Sequence, residues 1–202
     1  YSPHLQSALV FALAFGLAPA GKEKALAAKL NEAILACGHL DTGYGSTRYL
    51  MNVLCDYGYL DTAFMLLDRT DFPSWRYILN TGATTMTESW NGMASSDGSS
   101  SMNHFALGSV VGWMFEYLGG IRFERSSPGF RHIVLQPCFL PQIGSFRARY
   151  DSVSGPISVS WKFEGKKAIY CFETEQNVTL FLPDGVSRDF PAGKHQVTVD
   201  NI

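Results

Sequence analysis

Charge is scarce in this 202-residue chain: 16 Lys plus Arg face 18 Asp plus Glu, 17% of residues are charged, and the formal net charge is −2. No basic stripe runs along the sequence, which argues against nucleic acid or an anionic membrane surface as a partner. Cysteine is equally sparse. Cys37, Cys55, Cys138 and Cys171 stand far apart with no CxxC or Cys/His spacing, a pattern that excludes a simple zinc site and a disulfide framework and leaves the compartment open. Long apolar runs are also missing. The longest, Ala8 to Ala20 (ALVFALAFGLAPA), falls short of the about 20 residues that a membrane-spanning helix needs. It looks like a signal-peptide core followed by a small-residue cleavage site, but no Lys or Arg precedes it. The expectation is a buried helix capped by Ser2, with Pro3 in its first turn and Gly16 and Pro19 closing it. A helix apolar on nearly every side must be covered on every side.

What the chain does have is core-forming material. Hydrophobic residues make up 46%, with 14 Phe, 9 Tyr and 4 Trp among them, enough to exclude global disorder. Up to about residue 120 the pattern is helical. Leu26, Leu30, Ile34 and Cys37 recur at helical spacing until Gly38, and Gly38 to Ser46 reads as a loop. Tyr49, Leu50, Val53, Leu54 and Tyr57 then form a second stripe that stops at Gly58. Asp61 is expected to cap a short helix through Leu67, and Asp71 one from Pro73 to about Leu79. Phe105 to Leu118 reads as one almost wholly apolar helix.

Past Gly120 the period changes to that of strands: Ile133 to Leu135, Phe146 to Tyr150, Ile157 to Trp161, Ala168 to Phe172, Val178 to Leu182 and Val197 to Val199, separated by Gly, Pro, Asp and Asn. The fold class is therefore α+β with two domains, a helical one over residues 1–124 and a small antiparallel β-sandwich over 125–202. The sequence shows no internal repeat.

Between the last two helical stretches, Asn80 to Asn103 has little periodicity and is crowded with Gly, Ser, Thr and Asn. A loop of this length inside a compact domain is usually functional. Glu88, Trp90, Asn91, Asn103 and His104 gather in or beside it. A carboxylate near a Trp and a His suits sugar chemistry, because aromatic faces stack on sugar C–H faces while carboxylates bond hydroxyls or activate water. Plainer roles are open for the same residues. Thr85 to Glu88 fits the S/T-x-x-E capping box, His104 stands at a helix start where caps are common, and Trp75 and Trp113 are core by default. Asp97 lies in a Ser/Gly tract that reads as linker.

The run DFPSWRYILNTGATTMTESW (Asp71 to Trp90), followed by SMNHFALGSVVGWMFEYLGGI (Ser101 to Ile121) and PGFRHIVLQP (Pro128 to Pro137), closely resembles the C-terminal part of bacterial α-L-rhamnosidases of glycoside hydrolase family 78. The resemblance implies an (α/α)6 barrel followed by a β-sandwich. It also implies an inverting mechanism in which one carboxylic acid protonates the leaving oxygen and a second carboxylate activates water from the opposite face. Glu88 matches the base in the family's GATT-x-x-E-x-W block, and His104 matches a sugar-contacting histidine in its N-H-[FY] block. Trp90 and Trp75 lie in the same blocks as candidate pocket walls. No cofactor or metal is implied, and the partner implied is a rhamnose-containing carbohydrate. Glycan degradation points to a periplasmic or secreted setting.

Two departures from the family pattern stand out. Thr87 replaces a common aromatic, and about six helices can be counted where a complete barrel needs twelve. The block that supplies the general acid is not found between Tyr1 and Ile202. The chain therefore resembles the second half of the barrel plus the sandwich. By itself it is expected to show little or no turnover, and to associate with itself or with the missing half so as to cover its apolar helices. Two other readings stay open: a non-catalytic carbohydrate-binding or interaction module, and an (α/α)6 hydrolase for another sugar.

Overall fold

A computed structural model describes residues 4–94, 100–124, 126–183 and 185–200. The chain divides into two compact units, Tyr1–Val111 and Gly112–Ile202. The first is helical: α1 (Leu5–Ala14), α2 (Glu23–Cys37), α3 (Tyr44–Asp56), α4 (Leu60–Asp68), α5 (Trp75–Asn80) and α6 (Phe105–Gly108). Helix α7 (Val110–Trp113) and a π-helical turn, Met114–Leu118, follow. No helix among the described residues is long and apolar enough to cross a membrane.

Burial explains the helix pattern. Leu9, Val10 and Leu13 of α1, Leu30 and Ile34 of α2, and Leu50, Met51, Val53 and Leu54 of α3 are buried together in this unit. Helix α1 is not covered all round, since Phe11 is exposed, as is Phe15 just past its end. It starts after His4, and the cap expected at Ser2 and Pro3 lies outside the described residues. Gly38 ends α2 in the left-handed conformation that only glycine adopts cheaply.

Several expected boundaries move. The loop after Gly38 stops at Gly43 rather than Ser46, because the Thr47 hydroxyl donates to the Gly43 carbonyl at 2.8 Å and secures the first turn of α3. Asp61 does not cap α4; it sits within the first turn, where a carboxylate still complements the helix dipole. The cap of α5 is Ser74, whose hydroxyl accepts from the Tyr77 amide at 3.0 Å, not Asp71. The expected continuous helix from Phe105 to Leu118 is broken. Ser109 interrupts it, donating its hydroxyl to the Ala106 carbonyl at 2.5 Å, and the last turn widens so that the Gly119 amide reaches the Met114 carbonyl.

The second unit is a sandwich of two four-stranded sheets. One has the order β1 (Ile121–Arg122), β2 (Ile133–Leu135), β6 (Val178–Phe181), β7 (Ser187–Phe190). The other has the order β3 (Ser145–Ser152), β4 (Gly155–Glu164), β5 (Lys167–Thr174), β8 (Gly193–Asp200). Phe190 of β7 meets Phe172 of β5 with ring centroids 5.2 Å apart, which sets the sheets face to face. Every pairing is antiparallel except β2 with β6. Parallel neighbours need a long crossover, and here the excursion through β3, β4 and β5 supplies it. Ile157, Val159, Trp161, Tyr170 and Phe172 alternate into the core, whereas Tyr150 stays exposed.

Tyr170 is fully buried and donates its phenol to the Gly119 carbonyl at 2.9 Å. Burial raises its pKa well above the ordinary tyrosine value. Below about pH 10 the phenol is protonated in both states and its stabilisation is complete. Above that, the unfolded phenol ionises first while the folded one keeps its proton, so stability falls as pH rises toward the folded value. Tyr170→Phe is expected to reduce this alkaline loss. Urea midpoints at about pH 8 and about pH 11, on either side of the ordinary tyrosine value, check it, and an unchanged difference between the two would refute it.

Candidate active site

The segment between α5 and α6 is fastened at several points. The Thr81 hydroxyl donates to the Ile78 carbonyl at 2.7 Å and accepts from the Met93 amide at 2.9 Å. Gly92, at φ 58°, passes so close to this hydroxyl that a Cβ would lie 2.5 Å from it. Further along, two stretches cross antiparallel: the Glu88 amide donates to the Ser101 carbonyl at 2.9 Å, and the His104 amide to the Met86 carbonyl at 2.8 Å. Thr85 adds its hydroxyl to the Met102 carbonyl at 2.5 Å. Residues 95–99, with the linker expected around Asp97, lie outside the described residues.

Glu88 is half-buried on this crossing. Its Oε2 accepts from the Ser101 amide at 3.0 Å. No α-helix follows it, so the capping box expected from Thr85 to Glu88 does not form: residues 89–91 turn, and a short 3-10 turn spans Gly92–Ala94. Thr87 is only 1% exposed and donates its hydroxyl to the Ser89 carbonyl at 2.7 Å. The residue that departs from the family pattern thus packs inward rather than onto the open face.

Trp90 is held at both ends. Its Nε1–H donates to the Thr42 carbonyl at 3.0 Å, and its ring stands edge-on to Trp75 at 5.3 Å and 82°. Trp75 is only 4% exposed and donates its own indole N–H to the Leu107 carbonyl at 2.9 Å. It supports Trp90 from behind and has almost no surface of its own.

His104 caps α6, with Nδ1 accepting from the Ala106 amide at 3.2 Å. In the neutral ring that contact assigns the proton to Nε2, which becomes a donor for a ligand. Capping and ligand contact therefore use different nitrogens and are compatible. One face of the ring stacks on Phe105 at 4.9 Å and 21°, and Tyr44 meets it edge-on at 5.9 Å and 74°.

Sequence reasoning missed the loop that joins these groups. Residues 41–44 carry both the carbonyl that receives Trp90 and the ring beside His104. The loop is bolted down by the Thr42 and Thr47 hydroxyls, 2.9 Å apart, and by the buried amide side chain of Gln6, whose Oε1 accepts from the Asp41 amide at 2.7 Å. Gln6, an amide side chain in a mostly apolar helix, was the available signal. Among the described residues no three His, Cys, Asp or Glu side chains come together as a metal site.

Comparison with known proteins gives this geometry its context. Residues 1–118 match the family described as the bacterial alpha-L-rhamnosidase 6 hairpin glycosidase domain. The chain belongs to the bacterial α-L-rhamnosidase family. Residues 120–194 match that family's C-terminal domain, so the chain carries six-hairpin-barrel helices followed by a β-sandwich. It is 39% identical to an alpha-L-rhamnosidase of Streptomyces avermitilis across 78% of its own length and 16% of that protein's. Among solved structures it is similar to the Streptomyces avermitilis alpha-L-rhamnosidase complexed with L-rhamnose (TM-score 0.87, 32% identity), covering 96% of this chain and 21% of that one. It is also similar to the native enzyme from Aspergillus terreus (TM-score 0.88, 27% identity), covering 96% and 24%. The chain thus spans about a quarter or less of the length of these relatives.

Proposed function

We propose that these residues form part of the active site of an inverting glycoside hydrolase that releases terminal α-L-rhamnose. The helices before β1 contribute to the barrel, and the two sheets form the C-terminal sandwich. The observation that carries this reading is the state of Glu88. One carboxylate oxygen is pinned by the Ser101 amide, and among the described residues Oε1 accepts no hydrogen bond. A base that must take a proton from water needs a fixed carboxylate with one oxygen to spare. In this reading Trp90 offers its ring to the sugar, Trp75 acts through Trp90, and His104 donates from Nε2 to a sugar hydroxyl. The general acid comes from residues outside these 202, so the isolated chain shows little or no turnover. Exposed Phe11, Phe15 and Leu17 form a surface for the remaining barrel helices or for a second copy.

The test is nitrophenol release from p-nitrophenyl α-L-rhamnoside and a panel of other aryl glycosides, by the isolated chain and by the full-length enzyme, with light scattering on both. Rhamnoside-selective release by the full-length enzyme is expected, with at most weak release by the chain: it lacks the general acid, and an aryl leaving group only lessens that loss. Release confined to another sugar would refute the substrate, and a chain that is monomeric at every concentration would refute its association with itself.

A further inference from the structure

We propose that Tyr44 is a positioning residue of the sugar pocket, fixing the orientation of the His104 imidazole so that its Nε2–H meets the sugar; the inference rests on the reading of His104 given above. Tyr44 lies in the first turn of α3 and is 60% exposed, so it contributes little to the core. An exposed aromatic of this size is explained by what it touches, and the ring it meets is His104, edge-on at 5.9 Å.

The other two partners of the imidazole come from its own segment. The Ala106 amide fixes Nδ1, and Phe105, itself 72% exposed, covers one face. Both contacts restrain rotation of the ring about its bond to Cβ, but both come from within two residues of His104, so the direction of the Nε2–H bond follows that short segment wherever it moves. Tyr44 approaches edge-on from α3, far away in sequence, and ties that orientation to the rest of the helical unit. Its backbone is well placed to do so, because Thr47 holds the Gly43 carbonyl, Gln6 holds the Asp41 amide, and the Thr42 carbonyl receives Trp90. One four-residue loop thereby sets the direction of two groups that face the ligand, from a position more than forty residues earlier in the chain. The contact is made by the ring, not by the phenol oxygen, so the role belongs to an aromatic residue and not to tyrosine alone.

The experiment uses the full-length enzyme with Tyr44→Ala, Tyr44→Phe, His104→Ala and the Tyr44→Ala/His104→Ala double variant. It reads kcat and KM on p-nitrophenyl α-L-rhamnoside and the inhibition constant of L-rhamnose. Tyr44→Ala is expected to raise KM and the rhamnose constant by about tenfold, the scale of one lost aromatic-supported hydrogen bond, with kcat held within about threefold. Tyr44→Phe stays near wild type. In the double variant Tyr44→Ala adds nothing to His104→Ala, since its effect passes through that ring. Unchanged KM and inhibition in Tyr44→Ala, or additive effects in the double variant, overturn the positioning role alone. An enzyme that neither hydrolyses α-L-rhamnosides nor binds L-rhamnose overturns the functional reading and this inference with it.

Discussion

Glu88→Gln in the full-length enzyme is expected to lower α-L-rhamnoside turnover by about 10²–10⁴-fold, the usual contribution of a positioned general base. Gln keeps the size of Glu and an oxygen that can accept from the Ser101 amide, so the contact at 3.0 Å survives and the loop keeps its shape. Only the charge that accepts a proton from water is removed. The loss should therefore fall on kcat, with KM and the thermal midpoint nearly unchanged. A second variant separates catalysis from damage. In Glu88→Ala, added azide should restore turnover and give the inverted glycosyl azide, because azide attacks the anomeric carbon without first giving up a proton. Wild-type kcat in Glu88→Gln would remove Glu88 from the proposed role. Loss of activity with a lowered melting point and no rescue would make it a structural residue, one that ties residue 88 to residue 101.

The periodic part of this protein was legible from its residues. Stripes such as Leu30 and Ile34, and the alternation of Ile157, Val159 and Trp161, report which face meets the core, and burial is what both patterns record. The elements that escaped have no such face. Strand β7, Ser187–Phe190, is exposed for most of its length, and β1 has only two residues. Both exist because neighbouring strands offer free backbone groups, which no side-chain pattern announces. Cap positions slipped for a related reason: several residues near a helix start could serve, and local geometry selected Ser74 over Asp71. In the candidate site, Glu88, Trp90 and His104 stood out by type and by resemblance. The Thr42 carbonyl did not, because a main-chain acceptor carries no sequence mark. Neither did the pairing of residues 86–88 with 101–104, in which two backbone-to-backbone hydrogen bonds carry the register.

Trp161→Ala is expected to cost the sandwich about 3–5 kcal/mol, the range for truncating a buried aromatic. Trp161 is buried at the centre of a ring cluster, stacked with Phe146 at 6.1 Å and edge-on to Phe139 at 5.8 Å and Phe163 at 5.9 Å. Its polar end matters as well, because Nε1–H donates to the Leu118 carbonyl at 2.8 Å, at the end of the π-helical turn, where the chain's own ladder runs out of donors. Tyr170 serves the next carbonyl, that of Gly119. Alanine removes both the packing and the donor. Trp161→Phe divides them, since it keeps most of the ring contacts and loses the N–H, leaving a buried acceptor unpaired at about 1–3 kcal/mol. Against a typical domain stability of about 5–15 kcal/mol, the alanine variant should unfold well below the wild-type urea midpoint and the phenylalanine variant between the two. Near-UV circular dichroism of the chain in urea measures all three. Equal losses for Phe and Ala would mean that the hydrogen bond to Leu118 dominates and the ring cluster contributes little. A loss for Phe close to zero would assign the whole effect to packing, with the Leu118 carbonyl finding another donor.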